Sequence, residues 1–475
     1  MNSASLIREL ASAGQEQVLQ FWSQLDPAGQ KKLAGQVAAL DLRLVAQLAD
    51  GYVRNKPPAA LPKDIQPVQV YPRRPDGKQK ELYRRALQRG QQMLREGKIG
   101  AFLVAGGQGT RLGYDGPKGE YPITPVKNKP LFQVFAEQLL AHSRDFGRPI
   151  PWYIMTSDMN DGPTRSFFTK HMFFGYDEKN IFFFQQGMMP AFAMDGTLLL
   201  AKRDSLALSP DGHGGSLRAL HKSGALADMR CRGVEHLSYF QVDNPMVHCI
   251  DALFLGLHDL TCSEMSSKTI PKSRPLEKVG NFVMGDGVLQ VIEYSDLPRK
   301  LATQRNADGS LRLDAGSIAI HALRVSFVER LNTGGQLRLP WHRAEKKVPY
   351  VDEAGKSINP DTLNAVKLEQ FVFDAIPLAQ NPIVYTTERA EEFSPVKKDK
   401  GSDSPATCRR DQIRRAARWL TEAGVTVTMK NGKPDAAIEI SPLYATTAEQ
   451  LRQRKAPIHA VQTGAKLYFG ANGIE

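Results

Sequence analysis

Short apolar runs alternate with polar and amphipathic segments through the middle of the chain, which is the pattern of buried strands and helices. Residues 99–104, 152–156, 181–184 and 237–242 form four such runs, and each one predicts a strand. Strands buried on both faces of a parallel sheet are apolar throughout rather than alternating. We therefore expect an α/β fold with a mostly parallel sheet that helices cover on both sides.

The pattern changes at both ends of the chain, and this change predicts three parts. Residues 1–97 look helical, with Asp26 as an N-cap before Pro27 and a helix over 78–96. Residues 98–385 carry the strands, including a hairpin around Gly285-Asp286-Gly287, and form the predicted catalytic domain. Residues 386–475 combine short strands with a helix over 411–423, and this segment contributes Lys397 to the predicted site.

The composition and net charge indicate what class of protein this is. The chain has 475 residues, 41% of them hydrophobic and 24% charged, which predicts a large soluble enzyme with more than one domain. We expect neither a signal peptide nor a membrane span. The four cysteines show no CxxC spacing, and we expect them to be reduced. Together these expectations predict a cytoplasmic protein. The net charge of +12 is spread along the chain, so we expect a solvated basic surface and neither a nucleic-acid nor a membrane partner.

A glycine-rich loop directly follows the first predicted strand and carries two cations. Glycines lie at positions 106, 107, 109 and 113. Arg111 lies between the last two of these glycines, and Lys118 follows them. Glycines let backbone N–H groups approach a ligand closely, and the two cations complete a site for a polyphosphate. The spacing is one residue too long for a dinucleotide fingerprint, and it lacks the Gly-Lys-Ser/Thr of a P-loop. The loop therefore predicts a nucleotide-binding site that is neither a dinucleotide fingerprint nor a P-loop.

Polar side chains follow the ends of other predicted strands, where α/β sheets bind ligands. The amide of Gln186 can donate to and accept from a base edge. His213, in a Pro-Asp-Gly turn, could bond a sugar hydroxyl or have no role. Asp243 could hold Mg²⁺ with substrate phosphates, or cap a helix. Lys397 could reach a phosphate or lie on the surface.

These features occur together with other motifs in one order along the chain. The quoted motifs are GGQGTRLG with PKG at 106–119, QQGMMPA at 185–191, PDGHGG at 210–215, VDN at 242–244, VIEYS at 291–295, AGSI at 315–318, KKVPYVD at 346–352, FVFD at 371–374 and EFSPVK at 392–397. The chain resembles the UDP-sugar pyrophosphorylase family over about residues 98–400, and within it the eukaryotic-type UDP-N-acetylglucosamine pyrophosphorylases. The resemblance implies a Rossmann-like nucleotidyltransferase sheet.

The resemblance also implies an activity and residue roles. The protein would make a UDP-sugar and pyrophosphate from UTP and a sugar 1-phosphate, with Mg²⁺. Arg111, Lys118 and Lys397 would face the phosphates, and Asp243 would bind the metal. The uridine would be held by Ala105, Gly106, Gly107, Gln186 and Gly212, and the sugar by His213, Gly280, Glu293, Ser317 and Phe371. A catalytically inactive sensor of UDP-sugars is the alternative.

Three positions in two motifs depart from the family pattern. The N-acetylhexosamine enzymes of the family usually carry Asn at the position of His213, and Asn at the positions of Asp314 and Ser317. Gly-His-Gly at 212–214 is similar to the loop of UDP-glucose pyrophosphorylases. Both N-acetylglucosamine 1-phosphate and glucose 1-phosphate are therefore candidate substrates, and the sequence leaves the oligomeric state open.

Overall fold

The computed structural model describes residues 3–56, 61–335 and 337–475. By the density of contacts the chain separates into two units. The smaller unit comprises residues 1–61, 186–218 and 337–374, and the larger one comprises 62–185, 219–336 and 375–475. The boundary between residues 218 and 219 falls within helix Gly215–Lys222.

A ten-stranded mixed sheet forms the centre of the larger unit. Its strands are Ile65–Pro67, Ile99–Val104, Trp152–Thr156, Ile181–Gln185, His236–Gln241, Met265–Pro271, Asn281–Gly285, Val288–Ile292, Ala315–Arg324 and Ile383–Thr386. Ile99–Val104 pairs in parallel with His236–Gln241 on one side and Trp152–Thr156 on the other, and Ile181–Gln185 continues this parallel set. The predicted α/β class and its parallel core are confirmed. The antiparallel strand Ala315–Arg324 lies on the other side of His236–Gln241.

Helices cover this sheet, as its apolar strands require. The α-helices that lie within the larger unit are Lys80–Arg95, Leu131–Phe146, Asp161–Lys170, Ala225–Arg232, Ala252–Leu260, Arg299–Ala302, Val325–Leu331, Arg389–Glu392, Pro405–Glu422 and Ala448–Arg454. The last of them packs in a separate C-terminal core rather than on this sheet. Helices Lys80–Arg95 and Ala252–Leu260 pack closely, because a Cβ on Gly90 would lie 1.8 Å from the carbonyl oxygen of Ala252. No described helix is both long and apolar enough to cross a membrane.

The boundaries of several predicted elements differ slightly from the structure. The strand expected at 237–242 is His236–Gln241, and the one expected at 181–184 extends to Gln185. The predicted hairpin is present and closes between Gly285 and Val288, with Asp286 and Gly287 both at positive φ (49° and 81°). Two positive φ values are what a two-residue type I′ turn requires.

The C-terminal helix is longer than predicted. It runs over Pro405–Glu422 rather than 411–423, and Ser404 caps it in a capping box with Thr407. Small strands follow it at Thr426–Val427, Met429–Lys430, Lys433–Pro434, Ala437–Ile440, Ala460–Val461, Lys466–Gly470 and Gly473–Ile474. Ser-Pro at a helix start is a recognised boundary signal, so the sequence carried the information for the correct start.

The smaller unit combines N-terminal helices with short strands. Its helices include Ser3–Ser12, Pro27–Ala38 and Leu42–Leu48, and Asp26 caps the second as predicted by accepting the N–H of Gly29 at 2.7 Å. Its strands are Met188–Pro190, Phe192–Ala193, Leu200–Lys202, Ser205–Leu206, Leu208–Pro210, His342–Lys346, Tyr350–Val351, Ser357–Ile358 and Ala365–Glu369. A separate apolar core holds these elements together.

Candidate active site

The glycine loop leaves the sheet at Val104 and folds back on itself. The N–H of Gly109 donates to the carbonyl of Gly116 at 2.8 Å, and the N–H of Lys118 donates to the carbonyl of Gly107 at 3.0 Å. Gly113 and Gly116 have φ values of +69° and +148°, which glycine adopts without strain. The loop therefore holds Arg111 and Lys118 on one compact turn at the carboxyl end of a parallel strand.

Asn160 fixes the start of this loop, and sequence reasoning did not single it out. It is fully buried, and its amide nitrogen donates to the carbonyls of Ala105 (3.0 Å) and Gly107 (3.4 Å). Its side-chain oxygen accepts the N–H of Ser157 at 2.7 Å. Because Ser157 follows the neighbouring strand Trp152–Thr156, Asn160 joins two adjacent strand ends. The only sequence signal was an Asn shortly after an apolar strand.

The predicted phosphate-binding cations come together with Asp243 in the larger unit. The Lys118 Nζ donates to the carbonyl of Val396 at 3.3 Å, and the N–H of Asp399 donates to the carbonyl of Arg111 at 3.0 Å. Burial lowers the pKa of Lys118; Asp243 opposes this, while Arg111 and Lys397 lower it further. Arg111 and Lys397 lie close enough to Lys118 to disfavour its charged form, and a bound anion would stabilise such a group of cations.

Asp243 lies just past strand His236–Gln241 and is half-buried. Its carbonyl accepts the N–H of Val396 at 2.7 Å, which ties it to the segment that carries Lys397. The alternative role as a helix cap is wrong for this residue, because the next helix, Ala252–Leu260, has Asp251 as its N-cap. The Asp243 carboxylate is therefore not committed to a helix end.

A buried ion cluster contacts the 392–397 segment and holds it in place. The Nζ of Lys268, which is fully buried, lies 2.7 Å from both carboxylate oxygens of Glu392 and 2.7 Å from Asp251 Oδ2. Burial opposes the charge of Lys268, but the two carboxylates outweigh it and raise the pKa of this amine. Asn244 adds two bonds, to the Glu392 carbonyl (2.7 Å) and from the Ser394 N–H (3.2 Å). None of these contacts is visible as a local sequence pattern.

Three of the predicted sugar-binding residues also converge in the larger unit. The N–H of Ser317 donates to the carbonyl of Gly280 at 2.8 Å. A Cβ on Gly280 would lie 3.4 Å from Glu293 Oε1, 3.6 Å from the Cβ of Ser317 and only 2.6 Å from Val291 Cγ1. Glycine is therefore required for this close approach, and the three residues line one small space.

The remaining predicted residues lie in the smaller unit. The Gln186 amide nitrogen donates to the carbonyl of Gly212 at 2.9 Å. Gly212 has a φ of +85°, and a Cβ there would lie 2.3 Å from the carbonyl oxygen of Gln370. The two predicted nucleotide-binding residues of this unit are thus in direct contact, and the glycine is needed for both its φ and its packing.

His213 belongs to an aromatic group in the same unit. Its ring stacks on Phe371 with centroids 5.2 Å apart, and its Nδ1 accepts the N–H of Val372 at 3.1 Å. Burial and the nearby His342 lower the pKa of His213 to about 4, so it is neutral at pH 7 with its proton on Nε2. His342, which sequence reasoning missed, stacks on the same Phe371 ring with centroids 4.2 Å apart, and its Nε2 lies 2.7 Å from Asp374 Oδ2.

Comparison with known proteins identifies the family of this chain. The UDPGP family model, described as UTP–glucose-1-phosphate uridylyltransferase, matches residues 59–404. The chain is 36% identical over 494 residues to UDP-N-acetylhexosamine pyrophosphorylase-like protein 1 of Mus musculus, covering 97% of each chain. It is 36% identical over 379 residues to UDP-N-acetylglucosamine pyrophosphorylase of Saccharomyces cerevisiae, covering 78% of each.

A solved structure gives the same result at the level of the fold. The uridine diphosphate N-acetylglucosamine pyrophosphorylase of Trypanosoma brucei, in complex with an inhibitor, matches with a TM-score of 0.81 and 25% identity. The match covers 97% of this chain and 98% of that one. With the family model matching most of the chain and relatives 36% identical across it, this protein belongs to the UDPGP family of uridylyltransferases.

Proposed function

We propose that Arg111, Lys118, Lys397 and Asp243 carry the uridylyl transfer of this UDP-sugar pyrophosphorylase, which makes a UDP-sugar and pyrophosphate from UTP and a sugar 1-phosphate. The observation that carries the assignment is the convergence of three cations and one carboxylate beside the glycine loop. The inactive-sensor alternative is not favoured, since the relatives are named as pyrophosphorylases.

The chemistry follows from the charges of the reactants. A phosphate oxygen of the sugar 1-phosphate attacks the α-phosphorus of UTP, the bond from that phosphorus to the β-bridging oxygen breaks, and pyrophosphate leaves. The nucleophile is already an anion, so no side chain has to remove a proton. Catalysis then rests on positioning and on stabilising negative charge. Lys118 and Arg111 would stabilise the triphosphate and the departing pyrophosphate, and Lys397 would offset repulsion between the two substrates.

We also propose that Asp243 helps to hold Mg²⁺. Among the described residues no group of three or more His, Cys, Asp or Glu side chains could hold a metal ion by itself. A single half-buried carboxylate fits Mg²⁺, which commonly takes one or two carboxylates and completes its shell with substrate phosphates and water. Such an ion, when bound, would supply further charge stabilisation to the phosphates.

The residues of the smaller unit keep the roles that the family resemblance implies. Gln186 and Gly212 would contact the uridine, and His213 and Phe371 the sugar. The neutral tautomer of His213, with its proton on Nε2, supports a role as a donor to a sugar oxygen. The same resemblance assigns Ala105, Gly106 and Gly107 to uridine binding, and Asn160 holds the carbonyls of Ala105 and Gly107 in place.

We propose N-acetylglucosamine 1-phosphate as the preferred sugar, because the two relatives reported above are named for N-acetylated sugars. The test is pyrophosphate release from UTP and Mg²⁺ with the 1-phosphates of glucose, galactose, N-acetylglucosamine and N-acetylgalactosamine. The variants His213→Asn and Ser317→Asn serve as matched comparisons at two of the three departing positions, and each should raise the preference for acetylated sugars. A preference of the unaltered protein for glucose 1-phosphate would overturn the sugar assignment, and silence with every sugar would overturn the activity.

The cytoplasm is the proposed compartment. All four cysteines are free thiols, two of them (Cys249 and Cys408) buried, which suits a reducing environment. The absence of nucleic-acid and membrane partners stays a prediction.

A further inference from the structure

Asn244, the residue after the proposed metal ligand Asp243, is buried and contacts the segment that carries Lys397. Its side chain is only 4% exposed. A buried amide needs hydrogen-bond partners for both its nitrogen and its oxygen. Asn244 finds both partners on the backbone of the 392–397 segment. It therefore joins the two parts of the chain that carry the proposed metal ligand and the proposed phosphate-binding lysine.

The bonds between these two parts of the chain fall at alternate residues of the 392–397 segment. The Asn244 nitrogen donates to the carbonyl of Glu392 at 2.7 Å, and its oxygen accepts the N–H of Ser394 at 3.2 Å. The N–H of Val396 then donates to the carbonyl of Asp243 at 2.7 Å. We call these three bonds the Asn244 clamp. The clamp holds the segment up to the residue directly before Lys397.

The beginning of the clamp is attached to a rigid part of the larger unit. Arg415 Nη1 donates to the carbonyls of Met246 and Glu391, both at 2.9 Å, and so joins the same two parts of the chain. The N–H of His248 donates to Glu392 Oε1 at 3.2 Å, in addition to the buried ion cluster described above. Glu392 is therefore fixed through its side chain, and Asn244 extends this fixed region toward Lys397.

The far end of the segment contacts the glycine loop. The carbonyl of Val396 accepts from Lys118 Nζ at 3.3 Å, and the N–H of Asp399 donates to the carbonyl of Arg111 at 3.0 Å. Lys397 lies between these two contacts. The glycine loop has its own internal bonds, so its shape does not depend on the clamp, whereas the backbone that leads into Lys397 does.

We propose that Asn244 is a positioning residue for Lys397; this rests on the proposed function of Lys397. Without the amide, the Glu392 carbonyl and the Ser394 N–H lose their partners, and the backbone before Lys397 is free to shift. A displacement of about 1 Å that arises outside the reacting groups can cost about 10²-fold in rate. Asn244 itself touches no substrate, so its whole effect passes through the position of the Lys397 ammonium.

The first test compares Asn244→Ala with the unaltered enzyme and with Asn364→Ala. Asn364 is a matched control in the smaller unit, because its nitrogen donates to the Val348 carbonyl (2.9 Å) and its oxygen accepts the Val348 N–H (2.8 Å). With N-acetylglucosamine 1-phosphate, kcat of Asn244→Ala should fall about 10²-fold. The KM for UTP should stay unchanged, since the glycine loop keeps its own bonds, and Asn364→Ala should keep its kcat.

A double-mutant cycle with Lys397→Ala separates positioning from a general loss of structure. Once the Lys397 ammonium is absent, removal of Asn244 should cost nothing further. The kcat of Asn244→Ala/Lys397→Ala should therefore equal that of Lys397→Ala to within about twofold. Multiplicative losses would overturn the proposal, and so would equal kcat values for Asn244→Ala and Asn364→Ala. Full turnover of Lys397→Ala would instead refute the proposed function of that lysine, and the inference with it.

Amide hydrogen exchange gives a readout that does not need turnover. The N–H groups of Ser394 and Val396 should exchange faster in Asn244→Ala than in Asn364→Ala, because local opening then requires fewer broken bonds. If the unaltered protein transfers uridylyl to no sugar, the proposed function fails, and equal exchange would separately overturn the clamp. Thermal unfolding checks the fold of each variant. If Asn244→Ala does not fold, Asn244→Ser replaces it in all three tests, since it keeps a polar atom but loses the reach of the amide.

Discussion

The substitution Lys118→Ala separates the catalytic role of this lysine from any role in stability. Lys118 is half-buried, and among the described residues its ammonium group makes one hydrogen bond, a long one of 3.3 Å to the carbonyl of Val396. Burial lowers the pKa of Lys118, so the folded protein disfavours its charged form. Below that lowered pKa the lysine is charged in both states, and its burial costs the folded state free energy that the unfolded chain does not lose.

The two effects of the substitution therefore have opposite signs. Removing one preorganised charge from the transition state costs about 10²–10³ in kcat for a single donor. Removing a disfavoured buried charge should leave the free energy of unfolding unchanged or raise it, because the lost hydrogen bond is a long one. We expect kcat to fall at least a hundredfold while the melting temperature stays level or increases.

Steady-state pyrophosphate release measures the first quantity, and thermal unfolding monitored by circular dichroism measures the second. Lys118→Met is the matched variant, since it keeps the length of the side chain and removes only the charge. Turnover above one tenth of the unaltered enzyme would refute the catalytic role. A fall in melting temperature of several degrees in both variants would refute the argument that the fold disfavours this charge.

Three further predictions rest on other parts of the structure. Gly280→Ala should raise the KM for the sugar 1-phosphate at least tenfold with little change in the KM for UTP, since its Cβ would lie 2.6 Å from Val291 Cγ1; equal KM values would contradict the close packing. Asp243→Ala, and equally EDTA treatment of the unaltered enzyme, should abolish turnover, and near-normal turnover of the variant would remove Asp243 as a metal ligand. Burial lowers the pKa of His142 to about 4, so the unfolded chain takes up its proton first, and stability falls as the pH drops from about 6.5 toward 4. This residue should cost about 1 kcal/mol between pH 7 and pH 5.5; urea unfolding of His142→Gln should show a shallower pH dependence, and an identical one would contradict the prediction.

Much of the fold was predictable because its strands are locally encoded. Residues 99–104 and 152–156 are strands with the expected ends, since a strand buried on both faces is apolar at every position. The hairpin at 285–287 was also local, because its turn needs residues that tolerate positive φ. The ten-residue strand Ala315–Arg324 was visible only as a short motif, and its antiparallel place beside His236–Gln241 is a property of pairing rather than of its own sequence.

Some residues of the candidate site could be predicted from the local sequence, and others could not. The glycine loop with Arg111 and Lys118 could be identified from contiguous residues, and so could the position of Asp243 after a strand. Asn160 and Lys268 could not, because their importance lies in what they contact. A lone Asn after a strand and a lone Lys within one are common in any sequence.

The sequence by itself determined the chemistry that the protein can perform, because the loop, its two cations and the strand ends are each written in a few neighbouring residues. Only the tertiary structure decided how these groups act on each other. Lys268 and Glu392 are 124 positions apart, yet their ion pair anchors the segment that carries Lys397. The lowered pKa of Lys118 depends on burial and on charges from three separate segments. Electrostatic interactions depend on distance through space and on the exclusion of water, and neither quantity is encoded in the local order of residues.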